Sequence, residues 1–412
     1  MGRKYTYLVP DETGARGLLE AFAEFGYPLV VAGPYRPNRY VTDPDAGAGD
    51  WDVTVFDTDP DAADGRSEWE RHGVEQAARA LARDYGGFLR VAVGFAPGQA
   101  GAMADIGKAA LVHQRFGARP ILPAVSPPAT PASALLPFTV VKPLGTAFDL
   151  EGLGDVRWSE LSHAHGSAED VPGVIEALAE GFGSWAEVLD ELVGDDILHQ
   201  GSCYSATGPA MLFLPRLILS GALPFGQQMD VYEVFLYAAT RHSAGLLADA
   251  DRAVARRRPL RPAEWSAEVY EAVGTCVPAL LDRWALESDP ARVELAILAA
   301  LYPTHGEAVE GSIRAMADAY ADTDVGALLD LSLSLIGGDV DLAEQRARRL
   351  ALRPIDDGAL NAPGLSITTR AAGLMATTAS RCCAPTAVQR VTSPGYDPVP
   401  GLGRTLPVEP VV

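Results

Sequence analysis

The chain has 412 residues, 48% of them hydrophobic and 21% charged, a balance typical of a globular protein rather than a disordered one. Its formal net charge of −21 disfavours nucleic-acid phosphates and anionic membrane surfaces, and it favours a basic protein partner. The 4 cysteines contain no CxxC motif and give no disulfide framework. No signal peptide is visible, so we expect a cytoplasmic protein. The Ala, Gly, Arg and Asp bias suggests a bacterial genome with high GC content.

The first hundred residues alternate between strand and helix patterns. Four runs rich in β-branched and aromatic residues predict strands: "YTYLV", "YPLVVAG", "WDVTVFD" and "FLRVAVGFA". Two amphipathic segments predict helices: "TGARGLLEAFAEFG", with Thr13 as its N-cap, and "SEWERHGVEQAARALARDYGG". The order βαββαβ predicts a ferredoxin-like α/β sandwich over residues 1–97.

The rest of the chain changes character twice. Residues 98–150 are rich in proline and predict a semi-stiff connector, with one helix in "GAMADIGKAALVHQRFG". Residues 151–355 form an unbroken row of short amphipathic helical segments, which predicts an α-solenoid of stacked helix pairs. Residues 356–412 predict a mostly disordered tail, with one last helix in "GLSITTRAAGLMATTASRCCA". The expected fold class is therefore α+β.

Two segments with a similar residue pattern support the interpretation as repeats. "YSATGPAMLFLPRL", from Tyr204, and "YEAVGTCVPALLDRW", from Tyr270, share an aromatic residue, then Ala, then Gly, then an apolar helix containing proline. "ESDPARVELAILAAL" follows, in which an Asp-Pro turn precedes a helix that carries Arg292. These units resemble HEAT repeats. "WSELSHAHGSAEDVPGVIEALA" with "HQGSCYSATGPAMLFLPRL" also resembles a group of bacterial HEAT-repeat proteins that share a His-Gln-Gly-Ser turn. The resemblance covers residues 158–352, and it implies an α-solenoid used for protein contact with no shared catalytic residues.

The segment "HQGSCYSATGP" holds a histidine four residues before a cysteine. A thiol nucleophile would need a lowered pKa beside a base, whereas Asp195 and Asp196 would raise the pKa of Cys203. The competing interpretation is a turn between helices, with Gly201 as a left-handed cap and His199 near the helix end. In that interpretation one of two hydroxyl residues caps the next helix and a proline occupies its first turn: Ser205 or Thr207, and Pro209. We favour the turn and assign no catalytic residue and no cofactor.

Three further clusters have a functional and a structural interpretation. In "DTDPDAADGRSE", Asp57, Asp59, Asp61 and Glu68 occupy positions of a calcium-binding loop, but Ala62 replaces the glycine that such a loop needs. A solvated acidic loop is the alternative, and we assign no metal. We interpret His163 and His165 as a pair of histidines at a helix end rather than as metal ligands. The cluster "RAVARRRPLRP" lies in a predicted connection, either as a solvated loop or as a docking site for phosphate or an acidic surface.

Together these features predict a non-catalytic protein-binding or scaffold protein that binds a basic partner. One specific form of this prediction is an immunity-type protein that neutralises a toxin. The interaction candidates are His199, Gln200, Tyr204, Arg256, Arg257 and Arg258. Two alternatives stay open: an enzyme that gathers His199, Tyr204 and the Asp57 loop from both parts, and a calcium-dependent binding module. The sequence leaves the oligomeric state and the partner's identity open.

Overall fold

The computed structural model describes residues 2–36, 45–57, 68–95, 109–114, 148–351 and 354–383. The described residues belong to two compact units. The first unit contains those up to residue 114, together with 249–260 and 354–364, and the second contains 148–248, 261–351 and 365–383. A small antiparallel sheet with mostly helical structure after it confirms the α+β class. Residues 249–260, which the sequence assigned to the helical part, and residues 356–364, which it assigned to the tail, thus belong to the first unit.

The first unit is built on a five-stranded sheet with the strand order β4-β1-β3-β2-β5, in which every neighbouring pair is antiparallel. Two helices connect its strands: α1 (Glu12–Phe25) joins β1 to β2, and α2 (Glu68–Asp84) joins β3 to β4. The strands are β1 (Gly2–Val9), β2 (Leu29–Pro34), β3 (Trp51–Phe56), β4 (Phe88–Phe95) and β5 (Leu111–Gln114). The predicted βαββαβ order is therefore present along the chain.

Helix α1 begins two residues earlier than predicted. Its N-cap is Asp11, which has an extended backbone and accepts a hydrogen bond from the Gly14 amide at 2.8 Å. Thr13 lies inside the helix, so the predicted cap at Thr13 is wrong. Both residue types cap helices well, and Asp11 wins because its carboxylate lies three residues before an amide at the free end of the helix. Gly26, with a φ of 99°, ends the helix in the left-handed conformation.

Strand β5 replaces part of a predicted helix. Residues 111–114 lie inside "GAMADIGKAALVHQRFG", but they pair antiparallel with β2, from Leu29 opposite Gln114 to Ala32 opposite Leu111. The helix prediction is wrong for these residues because pairing with a distant strand overrides local propensity. Most of the predicted connector 98–150 lies outside the described residues.

One face of the sheet packs against α1 and α2 to form the core of the first unit. Side chains at alternate strand positions point to this face, as the period of a β-strand requires. Phe22 of α1 lies at its centre, with its ring 5.4 Å from the rings of both Tyr7 and Tyr27. The fully buried members from the sheet and helices are Tyr5, Tyr7, Val9, Ala15, Leu18, Phe22, Tyr27, Val30, Val53, Val55, Val74, Ala78 and Ala82.

The second unit is mostly helical, and most of its helices match segments predicted from periodicity. Its first described part holds a short hairpin, β6 (Ser162–His163) with β7 (Gly166–Ser167), where the sequence predicted helix ends. The helices are α3 (Val171–Glu180), α4 (Trp185–Leu189), α5 (Thr207–Met211), α6 (Leu214–Leu219), α7 (Phe225–Arg256), α8 (Ser266–Leu281), α9 (Asp289–Leu301), α10 (Pro303–Gly306), α11 (Glu310–Ala319), α12 (Asp324–Ile336) and α13 (Val340–Leu350). Then come α14 (Pro354–Leu360), which belongs to the first unit, and α15 (Ile367–Cys383).

Helices that follow one another in the sequence pack together in this unit. Helix α12 contacts α11 and α13, and it also contacts α9. Helix α15 returns to contact α9, α12 and α13. Helix α15 lies within the last helix predicted for the segment 356–412, whereas α14, which begins at Pro354 and continues into that segment, was not predicted. Residues 384–412 lie outside the described range. Of the helices described, none has the length and apolar character needed to cross a membrane.

Ion pairs within the first unit hold the last turns of α7. Arg256 donates to both carboxylate oxygens of Asp50, at 3.1 and 2.5 Å. Arg258 donates to Asp45 at 2.9 and 2.6 Å and to Asp249 at 2.7 and 2.6 Å. These two-pronged contacts match the fork geometry of the guanidinium group. The predicted connection at "RAVARRRPLRP" is therefore wrong for its first five residues, which belong to α7, and present for residues 257–262, which lie between α7 and α8.

We expect Arg258→Ala to destabilise the first unit strongly. The side chains of Arg258, Asp45 and Asp249 are only 13%, 6% and 9% exposed, so the variant leaves two buried carboxylates without their shared guanidinium. Removing one partner of such a pair costs about 3 kcal/mol. Hydrogen exchange of the β1–β4 amides measures the opening free energy of this unit.

The matched control is Arg257→Ala, which removes the same charge from the next residue. Arg257 is exposed, and its backbone has a positive φ of 49° that alanine does not relieve. Its loss should change the opening free energy by less than about 0.5 kcal/mol. Equal effects of the two substitutions would contradict the assigned role of the ion pairs.

Candidate functional site

The hairpin that carries His163 and His165 is held by hydrogen bonds to the segment 196–206, which contains the predicted His-Gln-Gly-Ser turn. The amide of Ala164, between β6 and β7, donates to the carbonyl of Asp196 at 3.0 Å, and the Ala206 amide donates to the Ser162 carbonyl at 3.1 Å. The Ser162 amide also donates to Ser205 Oγ at 2.8 Å. The hairpin is thus fastened to both ends of the segment 196–206.

His163 lies buried between two carboxylates. Its Nδ1 is 3.2 Å from Asp196 Oδ1, and its Nε2 is 3.2 Å from Asp170 Oδ1. Asp196 is itself buried, and burial raises the pKa of its carboxyl while the neighbouring His163 lowers it. Nδ1 of His163 also accepts a hydrogen bond from the His165 amide at 3.1 Å, so the ring serves as a structural link between the hairpin and the π-helical segment Asp190–Ile197. Among the residues that the structure describes, no group of three or more His, Cys, Asp or Glu is arranged to hold a metal.

His165 and His199 complete a row of three imidazole rings. Their ring centroids are 5.5 Å apart, and that of His165 is 6.0 Å from that of His163. Nδ1 of His199 lies 3.2 Å from the carbonyl oxygen of Gly194. The predicted helix-end location of His163 and His165 is wrong, because both residues lie in or beside a β-hairpin. His199 does follow a helix end, as predicted.

The helix before the turn is unusual. After α4 the chain continues from Asp190 to Ile197 as a π-helix, a form often found at functional sites. A β-carbon at Gly194 would lie 2.4 Å from Asp190 Oδ1, so a larger residue there would displace this exposed carboxylate. The wider helical turn brings Asp196 to the hairpin and ends where the His-Gln-Gly-Ser turn begins.

The turn itself has two consecutive residues in the left-handed conformation, Gln200 with a φ of 51° and Gly201 with a φ of 77°. The predicted left-handed backbone at Gly201 is present. Thr207 Oγ1 accepts a hydrogen bond from the Tyr204 amide at 2.8 Å and donates to the Ile197 carbonyl. The predicted cap at Ser205 or Thr207 is wrong, because α5 begins at Thr207 after Ala206 without a side-chain cap. Pro209 does lie in its first turn.

The turn rests on two side chains of α7. A β-carbon at Gly201 would lie 2.8 Å from Arg241 Nη1 and 3.1 Å from the Tyr237 hydroxyl oxygen. The Arg241 guanidinium lies 3.9 Å from the centroid of the Tyr237 ring and donates to the Tyr237 hydroxyl at 3.4 Å. This stacked pair therefore supports the turn at the one position where a side chain is absent.

The same stacked pair forms part of the wall of a polar cavity of about 120 Å³ within the second unit. Glu233 and Thr240 of α7 and Glu294 of α9 also line it, and all three are buried. Helix α15 contributes Gly373, Ala376, Thr377 and Ser380.

Cys203 lacks the properties of an activated nucleophile. Its side chain is buried, and burial raises the pKa of the thiol to about 11, with only a smaller lowering from Arg241. Cys276 of α8 behaves in the same way, with burial raising its thiol pKa to about 11. At neutral pH both sulfurs remain protonated.

The remaining sequence candidates lie in the first unit. Arg256 and Arg258 form the internal ion pairs described above, and Arg257 is exposed. Asp57 is buried, and its amide donates to the Arg3 carbonyl at 2.8 Å. The calcium candidates Asp59 and Asp61, and the side chain of Glu68, lie outside the described residues. His199 and Tyr204 belong to the second unit.

The second unit carries nearly all of the acidic excess of the chain. Its described residues hold 31 Asp and Glu against 12 Arg and no Lys, a net charge of −19 compared with −21 for the whole chain. The excess is concentrated between Asp149 and Asp196, where thirteen acidic residues accompany a single basic residue, Arg157. All of these carboxylates except Asp196 belong to exposed residues.

Sequence analysis missed several residues of these sites. Arg241 lies four residues after Tyr237 in α7, a spacing that places the two side chains on one face. Phe182, between two glycines, is 77% exposed and lies within the acidic segment. The spacing of an aromatic residue and an arginine on one helix, and an aromatic residue in a "GFG" turn, were the signals available.

The chain matches no protein-family model, and neither the curated proteins nor the solved structures include a significant match to it.

We expect Cys203 to react slowly with an alkylating agent in the native protein. A thiol pKa of about 11 in place of the ordinary 9.0 lowers the thiolate fraction near neutral pH by about 100-fold. Mass spectrometry of the alkylated peptides, for native and urea-unfolded protein, measures the difference. Cys276 is the internal control because its environment is equally unreactive. Native Cys203 that reacts much faster than Cys276 would indicate a nucleophile.

We expect Gly201→Ala to destabilise the second unit by about 1–2 kcal/mol, because alanine is strained at a positive φ and its β-carbon would collide with Arg241. Gly173→Ala is the control. Gly173 lies in α3 with no atom within 4 Å of the added carbon, so that substitution should stabilise by about 0.5–1 kcal/mol. Thermal unfolding should shift in opposite directions, and a Gly201→Ala protein as stable as wild type would contradict the assigned role of the turn.

Proposed function

We propose that this protein is a non-catalytic binding protein whose helical unit takes up a basic protein partner. The single observation that carries the proposal is the exposed acidic segment between Asp149 and Asp196, with Arg157 as its one basic residue. We call this segment the acidic surface. Like charges held close together on a folded protein repel one another, and a basic partner relieves that repulsion.

The local structure supports a binding role for the acidic surface. Glu176 and Glu180 lie one helical turn apart on α3, so their carboxylates share a face. Glu187, Asp190 and Glu191 follow on the next helical segment and are also exposed. The pKa of Asp190 is raised, mainly because its carboxyl is partly desolvated and to a smaller extent by the nearby charge of Asp195.

We infer finer fold assignments that agree with this role. The order β4-β1-β3-β2 with two helices on one face supports a ferredoxin-like first unit. Packing between consecutive helices, such as α11 with α12 and α12 with α13, supports a HEAT-like array in the second unit. Helix α15 would then close that array, because it contacts helices that are not its neighbours in sequence. The specific form of the proposal is a cytoplasmic protein of the immunity type, which covers the basic surface of a toxin.

The test is affinity capture from the native cell at about 50 mM salt, followed by association kinetics of the captured protein. The expected partner is basic, and its association rate should fall steeply as the salt concentration rises. The triple variant Glu176→Gln, Glu180→Gln, Glu187→Gln should lower that rate about tenfold, because electrostatic steering acts mainly on association.

A second triple variant controls for net charge. Glu264→Gln, Glu271→Gln and Glu307→Gln remove three exposed carboxylates from the same unit but outside the acidic surface. This variant should bind nearly as fast as wild type. An exclusively acidic set of captured proteins, or equal effects of the two triple variants, would refute the proposal.

A further inference from the structure

The acidic surface contains an apolar groove. A depression of about 290 Å³ lies in the second unit beside the turn that joins α3 to α4. Its apolar lining comes from the end of α3, the start of α4 and the segment before α7. The main contributors are Phe148, Leu178, Phe182, Trp185, Val188 and Leu223.

Phe182 has an unusual position for a residue that follows a helix. Gly181 ends α3 with a φ of 69°, and the Phe182 amide donates to the Ala177 carbonyl at 2.9 Å. In such helix ends an apolar residue at this place commonly packs back on the last helical turn. Here the side chain is 77% exposed, and Gly183, with a φ of 85°, turns the chain away again. The fold thus presents a large aromatic ring to the outside.

Trp185 forms a fixed part of the groove. Its indole Nε1 donates to Asp230 Oδ2 of α7 at 3.0 Å, and Asp230 is buried. The hydrogen bond holds the ring in place, while the ring lines the groove. A rigid aromatic wall loses little conformational entropy when a ligand binds, which favours recognition.

Carboxylates surround this apolar lining. Glu180 lines the groove directly, and Glu176 and Glu187 lie one helical turn or less from its lining residues in sequence. The one basic residue within the acidic surface, Arg157, is engaged with Glu160 at 2.8 Å. Arg216, outside that segment, donates to the carbonyl oxygens of Asp149 and Glu151 at 3.4 and 2.5 Å. An apolar groove with an acidic rim complements a chain segment with an apolar side chain between basic ones.

We propose that the groove binds a basic segment of the protein partner, with one aromatic or branched aliphatic residue of that segment inserted beside Phe182 and Trp185. This inference rests on the proposed function and adds the anchoring contact to it. The rim charges bring the segment to the groove, and the buried apolar anchor sets how long it stays.

Charge complementarity selects this occupant over a second copy of the chain. A copy would bring its own net charge of −21 to the acidic rim, and like charges across an interface are unfavourable. A dimer through this groove would appear in sedimentation velocity as a concentration-dependent species that Phe182→Ser abolishes. That result would overturn the proposal.

The test uses synthetic peptides of about 12 residues with a fixed set of Lys and Arg and one variable central residue, measured with the full-length protein by fluorescence anisotropy. With Leu, Phe or Trp at the centre, binding should be about tenfold tighter than with Ser or Gly. Phe182→Ser should remove most of that difference and leave the binding of the Ser and Gly peptides unchanged. The substitution is at an exposed site, so thermal unfolding should stay at the wild-type temperature.

The matched control is Leu286→Ser, which removes an apolar side chain that is 56% exposed in the same unit but outside the groove lining. It should retain the full preference for apolar central residues. Loss of that preference in both variants, or its retention in Phe182→Ser, would overturn the groove proposal.

The outcomes separate the two proposals. Salt-sensitive binding of every basic peptide, with no preference for an apolar centre, would overturn the groove and leave the acidic surface as the contact site. No binding of any basic peptide at about 50 mM salt would count against both.

Discussion

A charge can be buried in a protein only if opposite charges or hydrogen bonds replace the water it loses, and this constraint shapes both units. In the first unit, Arg256 and Arg258 keep their charge inside the fold because Asp45, Asp50 and Asp249 surround them. In the second unit, the buried carboxylate of Asp196 lies 3.2 Å from Nδ1 of His163. The contacts of each of these groups named here lie within its own unit, so each group serves the fold first.

The exposed carboxylates of the acidic surface meet the opposite condition. Water solvates them, and apart from Asp170 beside His163 and Glu160 beside Arg157 we assign them no part in holding the fold. Their mutual repulsion opposes folding slightly. Surface ion pairs would be worth at most about 1 kcal/mol each, yet the segment has almost no arginine and no lysine to form them. A surface with so uniform a sign is better explained by what it attracts than by what it stabilises.

The parts of the fold that the sequence predicted are those that depend on local pattern. Helix α1 and the first four strands follow from periodicity and from β-branched runs, and Gly201 adopts the left-handed backbone expected of glycine after a helix. Two of the errors share a cause, which is pairing between residues far apart in the chain. Strand β5 exists because it pairs with β2, and the arginines at the end of α7 and just after it form ion pairs with Asp50 and Asp45. No local window contains those partners.

The candidate sites show the same division. The His-Gln-Gly-Ser turn was predictable as a turn, but its support by Arg241 and Tyr237 joins residues about forty positions apart. Likewise, the wall of the apolar groove combines α3 and α4 with Leu223 and Phe148. Side chains that meet partners far away in the chain can be identified from the sequence only when their residue type does not fit the local pattern. Phe182 meets this condition, because an aromatic residue between two left-handed glycines has no local reason to be apolar.

The apolar groove and the acidic rim give a binding surface two separable properties. Long-range charge raises the rate of encounter but is screened over about 8 Å at physiological ionic strength, so it discriminates poorly among basic proteins. An apolar anchor acts only on contact, and it discriminates by shape and by the area it buries. A surface with charge alone would bind many basic proteins briefly. The rigid Trp185 ring and the exposed Phe182 ring inside the charged segment are the features through which this protein would hold one partner and release the others.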